Sequence, residues 1–361
     1  MKIALVITGL QMGGAENQVC DLADTFFGLG HEVMIISLLN ITDLKPRNID
    51  IEIKILNLKF YNFINCLYNF NLIIKSFKPD VVHANLFHAI IFSRILNLFI
   101  SVPKLISTHH GMKETTFFRR FLFLITDFLT DLNTNVSESS SNDFLESFSG
   151  TKAKTIVVNN GINFHQFKFR NHKRVELRKR LNILESTTVL LAVGRLVWEK
   201  NYLNLLKSFN LCLIKKPNLQ LIIIGEGPMR QELELYATKM NISNKINFLG
   251  KKDDAKFWYS AADIFINSSK REGFGLAVIE AMASKRLIVM TKCGISSKFH
   301  KNLISLSETV NYKSISNAIL DCLLKLEKDK KKITDLNYKF VEKHFSLDQI
   351  ALKWINIYTN N

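Results

Sequence analysis

The residues best equipped for chemistry lie in one stretch, Ser268-Ser-Lys-Arg-Glu272-Gly-Phe274-Gly275-Leu276-Ala-Val-Ile-Glu280. Two glutamates stand eight residues apart, with glycines 273 and 275 between them. A fully helical span of that length would set them roughly 12 Å apart, the reach of a nucleotide diphosphate sugar. The glycines let backbone approach a ligand, and the first free N–H groups of a following helix would point at an anion. Carboxylates repel phosphates, so Glu272 and Glu280 are expected to accept hydrogen bonds from hydroxyls at either end of such a ligand. The bland alternative is a solvent-facing glutamate, a capping turn and a helix glutamate.

Four further motifs sit where strands should end. Gly194-Arg195-Leu-Val-Trp-Glu-Lys200 offers a planar guanidinium and a point charge, the pair that suits a diphosphate. Two surface cations would look the same. Gly9-Leu-Gln-Met-Gly13-Gly14-Ala-Glu16 is a glycine-rich strand-to-helix turn but not Gly-x-Gly-x-x-Gly. Ser107-Thr-His109-His110-Gly111 places a histidine where it could bond a sugar hydroxyl or phosphate, although a structural histidine fits as well. Gly225-Glu226-Gly227-Pro228 reads as a loop against a base, or as a bare turn. His83 and His88 stand five apart, which shares no helical face, and no carboxylate completes a metal triad.

Something must hold these loops. Short apolar runs alternate with helical patterns throughout, which argues for parallel sheets with crossover helices. Strands are expected at residues 3–8, 32–37, 81–83, 105–108, 131–135 and 155–158, with a helix over 16–27 ended by Gly28 and Gly30. A basic stretch, 168–180, with seven Lys or Arg against Glu176, reads as a connection. Strands then recur at 188–193, 219–224, 245–249, 263–267 and 287–291, with helices over 202–214, 229–240 and 276–283. Helical patterns follow from Tyr312, interrupted near Asp335 and Ser346. The pattern is α/β: two Rossmann-like, doubly wound domains facing a central cleft, each binding ligands beyond the carboxyl ends of its strands. The expected boundaries are 1–166, a linker or start of the second domain at 167–185, a second domain at 186–342, and a helix at 343–361.

Length and composition agree. At roughly 100–200 residues per domain, 361 residues predict two domains. Usage that is 47% hydrophobic and 22% charged excludes disorder and fibres. Residues 1–165 hold 14 basic and 14 acidic side chains, so the net +16 falls on the second half, where an anionic partner is expected. Five scattered cysteines lack zinc spacing and read as small buried hydrophobes in a reducing, cytoplasmic setting. No stretch of about 20 residues is apolar enough to span a bilayer. Phe117-Phe-Arg-Arg-Phe-Leu-Phe-Leu-Ile-Thr-Asp-Phe-Leu suits a membrane interface, but a core-packed helix with two snorkelling arginines is the stronger reading.

In this order the motifs resemble the retaining glycosyltransferases of family 4, also called group 1, over nearly the whole chain. The resemblance rests on Gly13-Gly14-Ala-Glu16, Thr108-His-His110, Asn160-Gly161-Ile162, Gly194-Arg195 with Lys200, Gly225-Glu-Gly-Pro228, Phe248-Leu-Gly250, and Glu272 with Glu280. It implies the GT-B fold, a donor sugar on the second domain, an acceptor on the first, and a last helix that crosses back to the first. It implies that Arg195 and Lys200 bind the diphosphate and Glu280 the ribose, while Glu272 holds the transferred sugar. Amides at Phe274, Gly275, Leu276 and Gly14 would approach the phosphates and reaction centre. His110, with His109 as fallback, would lie near the sugar's hydroxymethyl group, and Glu226 would complete the donor set. Glu272, His110, Arg195 and Lys200 are thus the expected catalytic residues, with no metal and no cofactor.

The implied reaction moves a hexosyl unit, with retention, from a nucleotide sugar, UDP-linked first, to a glycan or lipid-linked acceptor. The implied setting is bacterial surface polysaccharide synthesis: lipopolysaccharide, O-antigen or capsule. An anionic membrane surface, the inner face of the cytoplasmic membrane, would suit the basic second half. The chain departs from the family at Asn163, at Lys285-Arg-Leu287 and at Gly294-Ile295. A sugar-nucleotide epimerase and a non-catalytic relative remain alternatives. Nucleic-acid binding has charge in its favour but no recognised module.

Overall fold

The computed structural model describes residues 1–100, 102–110, 117–147, 155–300 and 302–360, so Gly111 of the histidine motif lies outside the described residues. Contacts divide the chain into two compact units, Met1–Ile162 with Leu347–Asn361, and Asn163–Ser346.

The first unit is a seven-stranded parallel sheet. In chain order it runs β1 (Lys2–Ile7), α1 (Gly14–Gly28), β2 (Glu32–Ser37), β3 (Glu52–Ile55), α2 (Phe63–Phe77), β4 (Val81–Asn85) and α3 (Phe87–Leu96). Then come β5 (Leu105–His109), α4 (Phe117–Thr126), β6 (Leu132–Asn135), α5 (Glu138–Ser147) and β7 (Thr155–Val157). The strand order is β3-β2-β1-β4-β5-β6-β7. β1, β4 and β5 are buried along almost their whole length because helices cover both faces, which is why they read as unbroken apolar runs. Strand β3 escaped the sequence reading: its half-exposed Glu-Ile-Lys-Ile carries no such run.

The second unit holds α6 (Phe164–Phe167), α7 (Asn171–Arg180), β8 (Thr188–Val193), α8 (Tyr202–Lys215), β9 (Leu219–Ile224), α9 (Arg230–Lys239), β10 (Ile246–Gly250) and α10 (Ala255–Ala261). It continues with β11 (Ile264–Asn267), α11 (Leu276–Ala283), β12 (Leu287–Thr291), β13 (Ser305–Ser307), α12 (Tyr312–Lys328) and α13 (Lys330–Phe345). Its sheet is also parallel, in the order β10-β9-β8-β11-β12-β13. Each sheet therefore reverses strand order once, between β1 and β4 and between β8 and β11, and such reversals open a crevice at the carboxyl edge.

The chain returns to the first unit through α14 (Leu347–Thr359). Ile350, Trp354 and Tyr358 repeat every four residues and bury with Val19 and Phe26 of α1. The Tyr358 hydroxyl lies 2.6 Å from His83 Nδ1, and His83 Nε2 lies 2.6 Å from Thr108 Oγ1.

Three features differ from expectation. The break between the late helices falls at Asp329, not near Asp335, which lies inside α13 and pairs with Lys285. The basic stretch 168–180 is largely α7, because Arg178 turns inward to bond Asp263 and three backbone carbonyls from residues 184–187. Part of the second half's positive charge is thereby internal. Asp263 bonds Arg178 at 2.7 Å and Arg174 at 3.1 Å, with Lys330 at 3.6 Å, while buried Arg286 donates to Ala262 and Ser284 carbonyls. Burial works to raise the Asp263 carboxyl, but Arg174 and Arg178 overcome it and hold it below its ordinary value. Finally, four cysteines are buried as expected, while Cys293 is only partly buried.

Two stability predictions follow from buried charge. Asp263→Asn takes the close counter-charge from buried Arg178, which keeps only the exposed Glu185 carboxylate at 3.8 Å, and should cost about 3 kcal/mol, read as a lower urea midpoint. Burial holds the His83 and His109 rings down at about 3 and His110 at about 4. Unfolded, each titrates near ~6.5, so their stabilising effect is complete above that pH and is lost as pH falls toward the folded values. Between pH ~6.5 and ~5 the loss for each ring should steepen from about 0.7 to about 1.3 kcal/mol per pH unit. Urea midpoints that stay constant over that range would refute this.

Candidate active site

The second unit's switch point carries a group of polar side chains. Leaving β8, the chain passes Gly194, exposed Arg195 and a short turn of 3-10 helix, Trp198–Lys200. Asn201 follows in the left-handed region, φ 59°. Leaving β11, it passes Ser268, Ser269 and Glu272 before α11 opens at Leu276. Gly275, at φ +106°, turns the chain into that helix, a conformation costly for any residue with a Cβ. The span from Glu272 to Glu280 is therefore not one helix: it is a loop, a left-handed glycine, then the first turns of α11.

Hydrogen bonds stitch the two loops together. Asn201 Nδ2 donates to the Ser268 carbonyl at 3.1 Å, and Ser268 Oγ donates to the Lys200 carbonyl at 2.9 Å. The Lys270 amide donates to the Glu199 carbonyl at 2.7 Å, and the Lys270 ammonium lies 3.6 Å from the centre of the Trp198 ring. Lys200 Nζ reaches both Glu272 oxygens, at 2.8 and 2.7 Å, and Ser269 Oγ donates to the same carboxylate at 2.8 Å. Lys200, Tyr202, Ser269, Glu272 and Gly275 line one pocket. Lys200 and Glu272 were expected at different parts of a ligand, and here they are ion partners.

Glu280 is placed one step further along α11. The buried Tyr259 hydroxyl donates to its carboxylate at 2.5 Å. Burial first, and then the Glu280 charge, push the Tyr259 phenol far up, so it remains a donor. Glu226 turns away toward Arg230, which also holds Glu234 at 2.8 Å. Among the described residues Arg195 makes no side-chain hydrogen bond or ion pair.

Gly14 and His110 belong to the first unit. Gly14 is the first residue of α1, and the buried Glu16 carboxylate folds back over this helix start: a Cβ on Gly13 would meet Glu16 Oε2 at 2.2 Å. His110 Nε2 lies 2.8 Å from Asn85 Oδ1. Its Nδ1 is buried without a partner among the described residues. With its pKa held at about 4 by burial, the ring is neutral at neutral pH and keeps one nitrogen to donate and one to accept. The fallback His109 is a core residue, packed against Phe123 and Phe144 with Nε2 3.4 Å from Asn133. His83 is likewise internal. Among the described residues no group of His, Cys, Asp or Glu could hold a metal ion.

Asn201, Ser268, Ser269 and Tyr259 were missed as supports. Ser268 and Ser269 adjoin the Glu272 motif, so proximity was the available signal. Tyr259 is 21 residues from its partner, and no local pattern announces that contact.

Both sheets are doubly wound, and the polar loops sit at the carboxyl edge. This architecture is that of the GT-B glycosyltransferases. The glycosyltransferase family 4 model matches residues 12–166, and the model for glycosyl transferases group 1 matches residues 173–339. The chain belongs to this family of glycosyltransferases. The solved structure of Anabaena HepE in complex with UDP superposes with a TM-score of 0.86 at 20% identity, covering 99% of each chain. A glycosyltransferase from Rickettsia africae superposes at 0.84 with 20% identity, covering 99% of this chain and 97% of that one.

Among curated relatives, the alpha-monoglucosyldiacylglycerol synthase of Streptococcus pneumoniae is 29% identical over 167 residues, 45% of this chain and 38% of its own. An Escherichia coli enzyme, the UDP-Gal:alpha-D-GlcNAc-diphosphoundecaprenol alpha-1,3-galactosyltransferase, is 24% identical over 251 residues, 65% of each. The chain spans 42%, 57% and 38% of the length of three curated relatives it matches.

Loop packing at the pocket is tight enough to test. A Cβ at Gly225, φ +143°, would stand 1.9 Å from the Gly194 carbonyl oxygen. Gly225→Ala should therefore lose about 2 kcal/mol or more. Gly28→Ala meets nothing within 4 Å and should be neutral or gain about 0.5 kcal/mol. Urea titration of both variants separates the two outcomes.

Proposed function

We propose that this protein transfers a hexosyl unit from a nucleotide sugar, UDP-linked first, to a hydroxyl of a glycan or lipid-linked acceptor, with retained anomeric configuration. The observation that carries this reading is that Lys200, Glu272 and Gly275 line one pocket at the switch point of the second sheet, with Glu280 on the helix that follows. The Lys200 ammonium has three N–H donors. Two are engaged by Glu272, and the third would go to a phosphate oxygen. A carboxylate offers about four acceptor positions. On Glu272, three are filled, and the fourth would take a sugar hydroxyl.

Exposed Arg195 and the amides at Phe274, Gly275 and Leu276 would meet the rest of the diphosphate, where negative charge grows as the glycosidic bond breaks. Glu280, fixed by Tyr259, would accept from the ribose hydroxyls, and Glu226 would lie at the base end once released from Arg230. His110 and the Gly14 amide would act from the first unit. The sequence supplies no positioned nucleophile, so a same-face attack assisted by the leaving phosphate is the reading we adopt.

HepE is solved with UDP-glucose, and other solved neighbours act in lipopolysaccharide synthesis, which favours a UDP-sugar and a surface glycan pathway, lipopolysaccharide, O-antigen or capsule. An anionic membrane surface fits the lipid-linked acceptors named for relatives. Among the described residues no helix is long and apolar enough to cross a membrane.

A thermal-shift panel of UDP-, GDP- and ADP-sugars tests the site. UDP-sugars should raise the melting temperature. Lys200→Ala and Glu280→Ala should weaken that response about 10- to 100-fold in ligand concentration, the loss of one charge-assisted contact. Variants that respond like the parent would remove these residues from the site. Product anomeric configuration, read by NMR, tests retention.

A further inference from the structure

At the carboxyl edge of the first unit's sheet, β4 ends on Asn85 and β5 runs out into His110. The two strands are neighbours, with Asn85 paired to Thr108 in register. That adjacency brings the Asn85 side chain to the His110 ring, where its Oδ1 lies 2.8 Å from Nε2. The other end of the same amide is committed: Nδ2 donates to the His83 carbonyl at 3.1 Å. Asn85 is buried, and the contact spans 25 residues of sequence.

A side-chain amide has a carbonyl end and an NH2 end, and the hydrogen bonds around it decide which is which. Turned the other way, Asn85 would set its oxygen against the His83 carbonyl oxygen, acceptor to acceptor. The oxygen therefore faces His110, and Nε2 must carry the N–H that it accepts. Burial holds the His110 pKa at about 4, so the ring has one proton at neutral pH. With that proton on Nε2, Nδ1 is a bare lone pair. Nδ1 is buried and has no partner among the described residues. Buried polar atoms are ordinarily paired, and a ligand hydroxyl is a partner that the protein alone does not supply.

The surroundings hold Asn85 in place. His83 Nε2 lies 2.6 Å from Thr108 Oγ1, which lies 2.5 Å from Thr134 Oγ1, so β4, β5 and β6 are tied together beside the motif. The next residue, Leu86, adopts φ 72° and ψ 156°, a region almost reserved for glycine. Its amide donates to the Thr108 carbonyl at 3.3 Å. Strain of this kind persists only where the surrounding structure over-determines it, and it concentrates at binding sites. The titratable groups coupled to the His110 ring, His83 and His109, are themselves held neutral by burial. Neither supplies a negative charge that would draw the proton to Nδ1.

We propose that Asn85 is a positioning residue: it pins the His110 proton on Nε2 and so makes Nδ1 a hydrogen-bond acceptor for a substrate O–H. The consequence is a choice among donor sugars. A hexosyl unit with a free hydroxymethyl group can donate to Nδ1. A uronosyl unit carries an ionised carboxylate at the same carbon, which has no proton to give and would face the lone pair. Rejection of this kind comes from an unpaired or repulsive contact with the wrong ligand. The inference rests on the proposed function for the place of His110 beside the sugar, but the pinned proton does not depend on it.

Proton–nitrogen NMR of the full chain, labelled with heavy nitrogen in histidine only, reads the tautomer at neutral pH. The His110 signals are identified by their loss in His110→Gln. The parent should show a protonated Nε2 and an unprotonated Nδ1. Asn85→Ala should give signals averaged between the two tautomers, and so should Asn85→Ser, whose hydroxyl both donates and accepts. Thermal shifts test the consequence. The parent should bind UDP-glucose about tenfold or more tighter than UDP-glucuronate, and the Asn85 variants should bring that ratio toward one. UDP, which has no sugar, should stabilise parent and variants equally and so reports an intact fold and second unit. A parent His110 protonated on Nδ1 would overturn the proposal. So would folded Asn85 variants that keep the parent's tautomer or its donor ratio. The expected tautomer with no response to any UDP ligand would uphold the pinned proton and sink the transferase reading.

Discussion

The site hangs on the ion pair between Lys200 and Glu272. Each comes from a different loop, one after β8 and one after β11, and these are the two strands between which the sheet reverses its order. With side chains only partly exposed, the pair is worth more than a surface salt bridge, yet it stays open enough to exchange partners. Ser269 fixes the carboxylate, and Asn201 and Ser268 fix the backbones on both sides. Preorganisation of this kind places charge before a ligand arrives, which is how a site stabilises a developing diphosphate without reorganising.

Doubly wound parallel sheets explain why the polar loops are where they are. A parallel sheet buries its strands on both faces, so it has no side on which to display chemistry. What remains is the carboxyl edge, and the switch point is the place on that edge where adjacent loops diverge and leave room. Gly225 and Gly275 follow from the same crowding. The first must pass within contact of the Gly194 carbonyl, and the second must reverse direction within one residue to start α11.

The places where the chain departs from its family's usual pattern are accommodated by packing. After α11 the chain carries Lys285-Arg286, within one of those departures. Lys285 adopts φ 58° and pairs with Asp335, while Arg286 goes inward to cap carbonyls at Ala262 and Ser284. That arginine joins Arg174, Arg178 and Lys330 around Asp263, which precedes β11 and so lies at the strand end opposite the pocket. Part of what looked like a cationic ligand surface in the second half is thus structural.

The strand-and-helix alternation, the two switch-point motifs and the family could be read from the linear chain, because apolar runs and glycine-bounded turns are local properties. Strands with mixed polarity, β3 and the three-residue β13, could not, since only their neighbours make them strands. Three things needed tertiary structure. Lys200 and Glu272 are 72 residues apart, and whether two oppositely charged groups meet depends on which strands are adjacent. Arg178 and Asp263, 85 residues apart, became internal for the same reason. Whether the aromatic stripe of α4 faces core or solvent was undecidable from periodicity, because a 3.6-residue repeat reveals that a face exists and not which way it points.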